Sequence, residues 1–204
     1  MRTSVRAFSN ASIGGIPKDK PVLPEIEFMR LSTSWQESAK DATFCGAAAF
    51  GGRMYQRMRS KCDRETYIDF SFRGALIPEL EAQAFANMIK EPRAVAEYEL
   101  CEIAGVLGQT LGARECGRFV NTIESADVGS INGRLVLAIH WHHHRFDRRV
   151  ISIYFDSRGD GQIVREIHFS TPADLYEVSH KTFYETMRSA QWSCVMPPPI
   201  TSVA

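Results

Sequence analysis

The stretch from Ile131 to His144, INGRLVLAIHWHHH, together with the two segments that follow it, constrains the fold more than any other part of the sequence. Its Asn-Gly pair is a turn dipeptide, and the β-branched, apolar run after the turn predicts a strand over Leu135–His144. Two more strand-like segments follow at Arg149–Ser157 and Gln162–Ser170. Because the connections between the three segments are too short for a crossover, the segments are predicted to form an antiparallel meander.

Further elements are predicted on both sides of this meander. Additional strands are predicted at Ile26–Leu31, Arg53–Arg59, Thr66–Arg73 and Arg118–Glu124, the second and third of these forming a hairpin. One helix is predicted from Pro78, and a last helix is predicted to be capped by Thr171 in a Thr-Pro-Ala-Asp capping box. The stretch Ala94–Ile103 fits a short helix as well as a strand. The predicted fold class is α+β, a central antiparallel sheet of about six or seven strands with helices packed on it.

The length of 204 residues suits one well-cored domain. The predicted division is a flexible N-terminal tail at residues 1–20, a single α+β domain at residues 21–193 and a proline-rich C-terminal tail at residues 194–204. The first 20 residues carry Arg2 and Arg6 among small residues and no acid before Asp19. An organelle-targeting peptide is therefore the alternative to a tail.

Composition predicts the cellular compartment of the protein and argues against nucleic acid and membranes as partners. The 24 basic and 24 acidic residues give a formal net charge of zero, which does not favour nucleic acid as a partner. No apolar run approaches the roughly 20 residues that span a bilayer, so no membrane insertion is expected. The five cysteines have no C-x-x-C spacing, which is typical of a reducing compartment. We expect a cytoplasmic protein.

The C-terminal half of the sequence resembles PsbP-like and DcrB-like domains. The resemblance is carried by the strand that follows the Asn-Gly turn, the meander, the phrase VREIHFSTP at Val164–Pro172 and the last helix, which ends FYETMRSAQW at Trp192. It covers about Gly129 to Trp192. It implies a small α/β/α sandwich used mostly for binding, as in photosystem accessory proteins, regulators of transport factors and bacterial secretion chaperones or adaptors. It implies no catalytic residue, because the family has no common one.

The four histidines at the end of the first meander strand are the main candidate for chemistry. With the period of two of a strand, alternate histidines point to one face, and Trp141 and His143 point to the other. Imidazoles at i and i+2 on a strand reach one metal ion, so the pattern predicts zinc or another divalent cation. The candidate metal ligands are His140, His142, His144 and His168, with Asp147 as an alternative to His168. No H-E-x-x-H motif and no paired cysteines accompany them.

A second interpretation of the same histidines is a polar surface that binds a protein partner. The candidate partner-binding residues are His140, His142, His144, Arg145 and Arg148, together with Arg53, Arg57 and Arg59 of the basic run near residue 55. Imidazoles are neutral at pH 7 and charged at pH 5 to 6, so binding through them would depend on pH.

The function predicted from the sequence is that of a non-enzymatic protein-binding domain without a cofactor. Such a domain acts as an adaptor, a secretion chaperone or an immunity-type protein, and its partner is another protein, for example a secreted effector. This prediction depends on the lack of an assembled catalytic motif in the sequence. The alternative is a metal-dependent enzyme with a histidine-rich site on the strand that ends at His144.

Overall fold

A computed structural model describes residues 26–31, 34–38, 53–63, 65–72, 79–102, 114–115, 118–119 and 121–193. The two predicted tails, residues 1–20 and 194–204, lie outside the described residues.

The described residues form one large antiparallel sheet of eight strands. In sheet order the strands are β2 (Trp35–Ser38), β3 (Arg53–Ser60), β4 (Tyr67–Phe72), β11 (Val164–Pro172), β10 (Arg148–Asp156), β9 (Arg134–His143), β8 (Asn121–Ile131) and β5 (Arg93–Ala94). The predicted meander is confirmed as β9-β10-β11, and the predicted hairpin as β3-β4. Two small sheets pair β1 (Ile26–Phe28) with β12 (Gln191–Trp192) and β6 (Arg114–Glu115) with β7 (Arg118–Phe119).

Helices lie in two regions of the described chain. Helix α1 spans Glu79–Met88, and the predicted start at Pro78 lies outside the described residues. Helix α2 spans Tyr176–Arg188 after a 3-10 turn at Ala173–Leu175. Residues 97–102 are helical and follow β5, so the stretch left open by the sequence contains a short strand and then a helix. No helix in the described ranges is long and apolar enough to cross a membrane.

The capping box predicted at Thr171 is wrong. Thr171 is fully buried near the end of β11, and its hydroxyl lies 2.8 Å from the hydroxyl of Thr66. Helix α2 begins only at Tyr176, with no hydrogen bond from a capping side chain. The strand pairing of β11 continues through Thr171, and this pairing outweighs the local capping preference.

Strand β8 is longer than the sequence predicts. The predicted strand ends at Glu124, whereas β8 continues to Ile131 and buries Ala126 and Val128. The turn consists of Asn132 and Gly133 alone, both at positive φ, 49° and 86°. The side-chain nitrogen of Asn132 donates hydrogen bonds to the carbonyls of Arg188, at 2.8 Å, and Ala190, at 2.6 Å. This turn therefore fastens the hairpin to the end of α2.

The sheet is buried on both faces by two separate apolar clusters. On one face, which we call the α2 face, the core includes Met58, Ile68, Phe70, Ile151, Ile153, Phe155, Ile167, Phe169, Phe183 and Met187. On the other, the α1 face, it includes Ala126, Val128, Leu137, Ile139, Trp141, Val150 and Tyr154, with Phe85, Met88 and Leu100 packed against them. The fold class predicted from the sequence, an antiparallel sheet with helices packed on it, is confirmed.

The turn between β10 and β11 allows α1 to approach the sheet closely. The Asp156 carboxylate accepts hydrogen bonds from the backbone nitrogens of Arg158, at 2.9 Å, and Gly161, at 2.6 Å. Gly161 has a φ of 75°, and a Cβ added there would lie 1.8 Å from the carbonyl oxygen of Ala82 in α1. Only glycine fits this contact.

We expect Gly161→Ala to lower the free energy of unfolding by about 2–3 kcal/mol, because it adds a clash with the backbone of α1 to the cost of a positive φ. Gly159→Ala is the matched control. Gly159 has a φ of 84°, but nothing lies within 4 Å of its added Cβ. Urea unfolding of both variants measures the difference, and equal losses would contradict the close contact with α1.

Candidate functional site at the end of strand β9

The connection between β9 and β10 is a short, well-anchored turn. His144–Phe146 form a 3-10 turn, and Asp147 closes it in the left-handed conformation, with φ of 46° and ψ of 55°. The backbone nitrogen of Asp147 donates to the carbonyl of His144 at 3.3 Å, and that of Ala173 donates to the carbonyl of Asp147 at 3.0 Å. We call residues 142–148 the hairpin tip. It is fixed to the segment that leads into α2.

His140 lies on the α2 face beneath two tyrosines of that helix. Its Nδ1 is 3.1 Å from the hydroxyl of Tyr176, and its Nε2 is 2.9 Å from the hydroxyl of Tyr184. A neutral imidazole donates from one nitrogen and accepts at the other, so one tyrosine accepts a hydrogen bond and the other donates one. Both ring nitrogens of this predicted ligand are therefore engaged inside the fold.

Burial sets the protonation state of this group. It lowers the pKa of His140, and the positive charge of a protonated His180 acts in the same direction, whereas Asp127 opposes both. Burial also raises the pKa of Tyr184 to about 12. His140 and Tyr184 are therefore both neutral near pH 7, which preserves the two hydrogen bonds.

The structure brings three of the predicted candidates together: His142, His144 and Asp147. The Nε2 of His142 lies 2.9 Å from Oδ1 of Asp147, and the ring centroids of His142 and His144 are 4.4 Å apart. The Nε2 of His144 is 2.6 Å from the hydroxyl of Thr122, which lies opposite His142 on β8. The cluster is at the surface, since the side chain of Asp147 is 79% exposed.

His168 is separated from these residues by the sheet. It projects from the α1 face, where its Nδ1 is 3.2 Å from the hydroxyl of Ser152 and 3.5 Å from a carboxylate oxygen of the buried Glu166. Its ring lies 5.9 Å from that of Trp141. The four predicted metal ligands are thus not brought to one point. Across the described residues, no three His, Cys, Asp or Glu side chains are arranged as a ready metal site.

An exposed aromatic side chain dominates the hairpin tip. Phe146 is 62% exposed, and its ring stacks on that of His143, with centroids 4.9 Å apart and an interplanar angle of 26°. The guanidinium of Arg145 lies 5.2 Å from the same ring centroid. Sequence reasoning missed Phe146, although an aromatic residue within the polar turn sequence HRFDR was a signal for it.

Arg148 connects the hairpin tip to the turn between β3 and β4. Its Nε donates to the hydroxyl of Ser170 at 2.7 Å, and its guanidinium lies 5.2 Å from the ring centroid of Tyr67. It also hydrogen-bonds the carbonyl of Glu65, whose carboxylate is 3.9 Å from its Nη1. This predicted partner-binding residue is half-buried and serves mainly to position the tip.

The basic run on β3 does not form a uniform surface patch. Arg57 is 7% exposed and is bound by both carboxylate oxygens of Asp69, at 2.6 and 2.7 Å. Its guanidinium also lies 4.4 Å from the ring centroid of Tyr67. Arg59 is half-buried, and the side chain of Arg53 lies outside the described part of the structure. Arg57 therefore belongs to the interior.

Comparison with known proteins finds similarity to solved structures. The solution structure of cyanobacterial PsbP (CyanoP) from Synechocystis sp. PCC 6803 is similar to this chain, with a TM-score of 0.49 and 12% sequence identity. The match covers 78% of this chain and 82% of that chain. No protein-family model and no curated protein sequence matches the chain. The similarity is one of fold.

We expect Asp69→Asn to lower the free energy of unfolding by about 3–5 kcal/mol, because it leaves the buried Arg57 without its carboxylate. The double variant Arg57→Met with Asp69→Leu removes both charges and should lose much less. Urea unfolding of the two variants makes the comparison. If the double variant loses as much free energy of unfolding as Asp69→Asn, the stability comes from the ion pair itself. The prediction that a buried, uncompensated charge causes the loss would then be wrong.

The stability of the fold should depend on pH through His140. Its pKa in the folded protein lies below the usual 6.5, so below pH 6.5 the unfolded chain takes up a proton before the folded one does. The stability contributed by the neutral, doubly hydrogen-bonded ring is complete above pH 6.5 and is lost as pH falls through the folded pKa.

Urea unfolding between pH 7.5 and pH 5 measures this loss. His140→Gln keeps hydrogen-bonding groups near both tyrosines but does not titrate, so we expect a smaller loss of stability on acidification. Part of the loss should remain, because burial also lowers the pKa of His143. An unchanged pH profile in His140→Gln would rule out His140 as a source of the effect.

Proposed function

We propose that the chain is a non-enzymatic protein-binding domain, an adaptor, secretion chaperone or immunity-type protein, that contacts its partner through the hairpin tip. The observation that carries this proposal is the exposed ring of Phe146, supported by His143 on one side and by Arg145 beside it. Aromatic and arginine side chains contribute most of the binding energy at protein interfaces.

Two features favour the hairpin tip as a binding surface. Its backbone is held by the hydrogen bonds of Asp147 and Ala173, so the tip loses little conformational freedom on binding. The exposed side chains around its aromatic ring, those of His144, Arg145 and Asp147, are polar or charged. An apolar anchor residue surrounded by a polar rim is typical of protein interfaces. A partner with an apolar pocket and a carboxylate at its edge fits this surface.

The proposed compartment is the cytoplasm. Cys62 and Cys101 are exposed free thiols in the described structure. Exposed unpaired thiols persist in reducing compartments, whereas oxidising ones favour disulfides. This supports a partner met inside the cell, such as an effector before its secretion.

Affinity capture with the purified chain tests the proposal. We expect Phe146→Ala to reduce recovery of a stoichiometric partner by roughly tenfold or more, corresponding to a loss of about 1.4 kcal/mol. Arg145→Ala should give a smaller reduction. The partner is then identified by mass spectrometry, and its binding is measured between purified proteins.

Tyr98→Ala and Val178→Ala are matched controls, because both residues expose large apolar side chains, by 69% and 73%, and neither belongs to residues 142–148. They should retain the partner. The proposal is wrong if Phe146→Ala, with its fold checked by circular dichroism, binds the partner as tightly as the unchanged chain.

A metal-dependent enzyme is the second candidate function. The contact between His142 and Asp147, with His144 beside it, is the observation that favours it, because these residue types ligate zinc. Zinc-dependent hydrolysis of ester or phosphoester substrates by the purified chain, lost in His142→Ala, would distinguish this candidate from the first.

A further inference from the structure

We propose that His142, His144 and Asp147 form a binding site for zinc or a similar divalent cation at the hairpin tip, with Thr122 as its outer hydrogen-bond partner. The site requires only the chain itself. The inference therefore goes beyond the proposed protein-binding function and does not rest on it.

The first two donors already have a suitable separation. The Nε2 of His142 and Oδ1 of Asp147 are 2.9 Å apart. Two atoms that each bind one zinc ion at about 2.0–2.2 Å lie roughly 3 Å from each other. A cation can therefore replace the hydrogen bond between these atoms with little change in their separation.

The third donor is identified by its hydrogen bond to β8. The Nε2 of His144 lies 2.6 Å from the hydroxyl of Thr122, so that nitrogen can carry the proton and donate it to the hydroxyl. The Nδ1 of the same ring is then the unprotonated atom that binds the cation. Histidine ligands of metals commonly hold their second nitrogen in this way, which fixes the tautomer and the orientation of the ring.

The donors do not yet converge, so binding of a cation requires their side chains to move. No ready three-residue metal site is present in the described part of the chain. His144 and Asp147 are both exposed, so their side chains are able to turn. Their backbones are already joined by the hydrogen bond from Asp147 to the carbonyl of His144. The ring centroids of His142 and His144 are 4.4 Å apart, so the two rings already lie side by side.

The donor set favours borderline transition metals. Two imidazoles and one carboxylate suit zinc, nickel or copper, whereas magnesium and calcium prefer oxygen ligands throughout. Three protein donors leave a fourth position of a tetrahedral zinc ion for water. His140 and His168 are not part of this set, since the first is engaged by two tyrosines and the second lies on the other face of the sheet.

Isothermal titration of the untagged chain with zinc chloride tests the site. We expect one zinc ion per chain, no comparable binding of magnesium, and loss of the site in both His142→Ala and Asp147→Asn. Thr122→Val should retain the stoichiometry but weaken binding by roughly tenfold, as expected for loss of an outer hydrogen-bond partner. His180→Gln, which changes a histidine outside the cluster, should bind zinc as the unchanged chain does.

Three outcomes would overturn the proposal: no zinc uptake, uptake that is unchanged in both His142→Ala and Asp147→Asn, or uptake lost in His180→Gln instead. Asp147→Asn alters an exposed side chain, so it keeps the test valid even if His142→Ala fails to fold. The titration contains no partner protein, and the capture experiment with Phe146→Ala uses the metal-free chain. Failure of one proposal is therefore distinguishable from failure of the other.

Discussion

The structure depends on the burial of β10 from every side. From Val150 to Asp156 each residue of this strand is buried, and the strand pairs with β9 along one edge and with β11 along the other. Apolar burial supplies most of the favourable free energy of folding, and a central strand can be buried on both faces only if each face is covered. Helix α2 covers one face, and α1 with residues 97–102 covers the other over β8, β9 and β10.

The candidate site lies where this burial ends. Arg148 and Arg149, the first residues of β10, are only half-buried, and the neighbouring end of β9 carries the histidines. The three histidines of β9 have different environments. His140 is covered by α2, His142 reaches the surface beside Asp147, and His143 supports Phe146 from the α1 face. One short sequence thus contributes a covered, hydrogen-bonded histidine, a histidine at the surface and the support of an exposed aromatic ring.

The meander could be predicted from the sequence, and so could the placement of His140 and His142 on one face and His143 on the other, because both depend on local periodicity and short connections. The partners of His140 could not, since Tyr176 and Tyr184 are 36 and 44 residues away and meet it only through packing of α2. Polar and apolar residues alternate along β4, and Asp69 lies on the polar side. From this pattern alone, Asp69 is expected to face solvent. Its burial beside Arg57 results from the order of strands in the sheet.

That buried ion pair also specifies strand register. Arg57 and Asp69 are direct cross-strand partners in the pairing of β3 with β4. A slip by one residue would turn every side chain of one strand to the other face and leave two buried charges unpaired. The pair therefore disfavours alternative pairings even though a matched pair of apolar residues would be about as stable.

The hydrogen bond from Ala173 to the carbonyl of Asp147 joins the hairpin tip to the start of the segment that becomes α2. At the other end of β9, Asn132 donates hydrogen bonds to the carbonyl of Arg188, the last residue of the same helix, and to that of Ala190 just beyond it. The two turns that flank β9 are therefore hydrogen-bonded to the chain at the two ends of α2. A shift of α2 along the sheet would therefore break hydrogen bonds at one end or the other, so the two turns fix the position of this helix on the sheet.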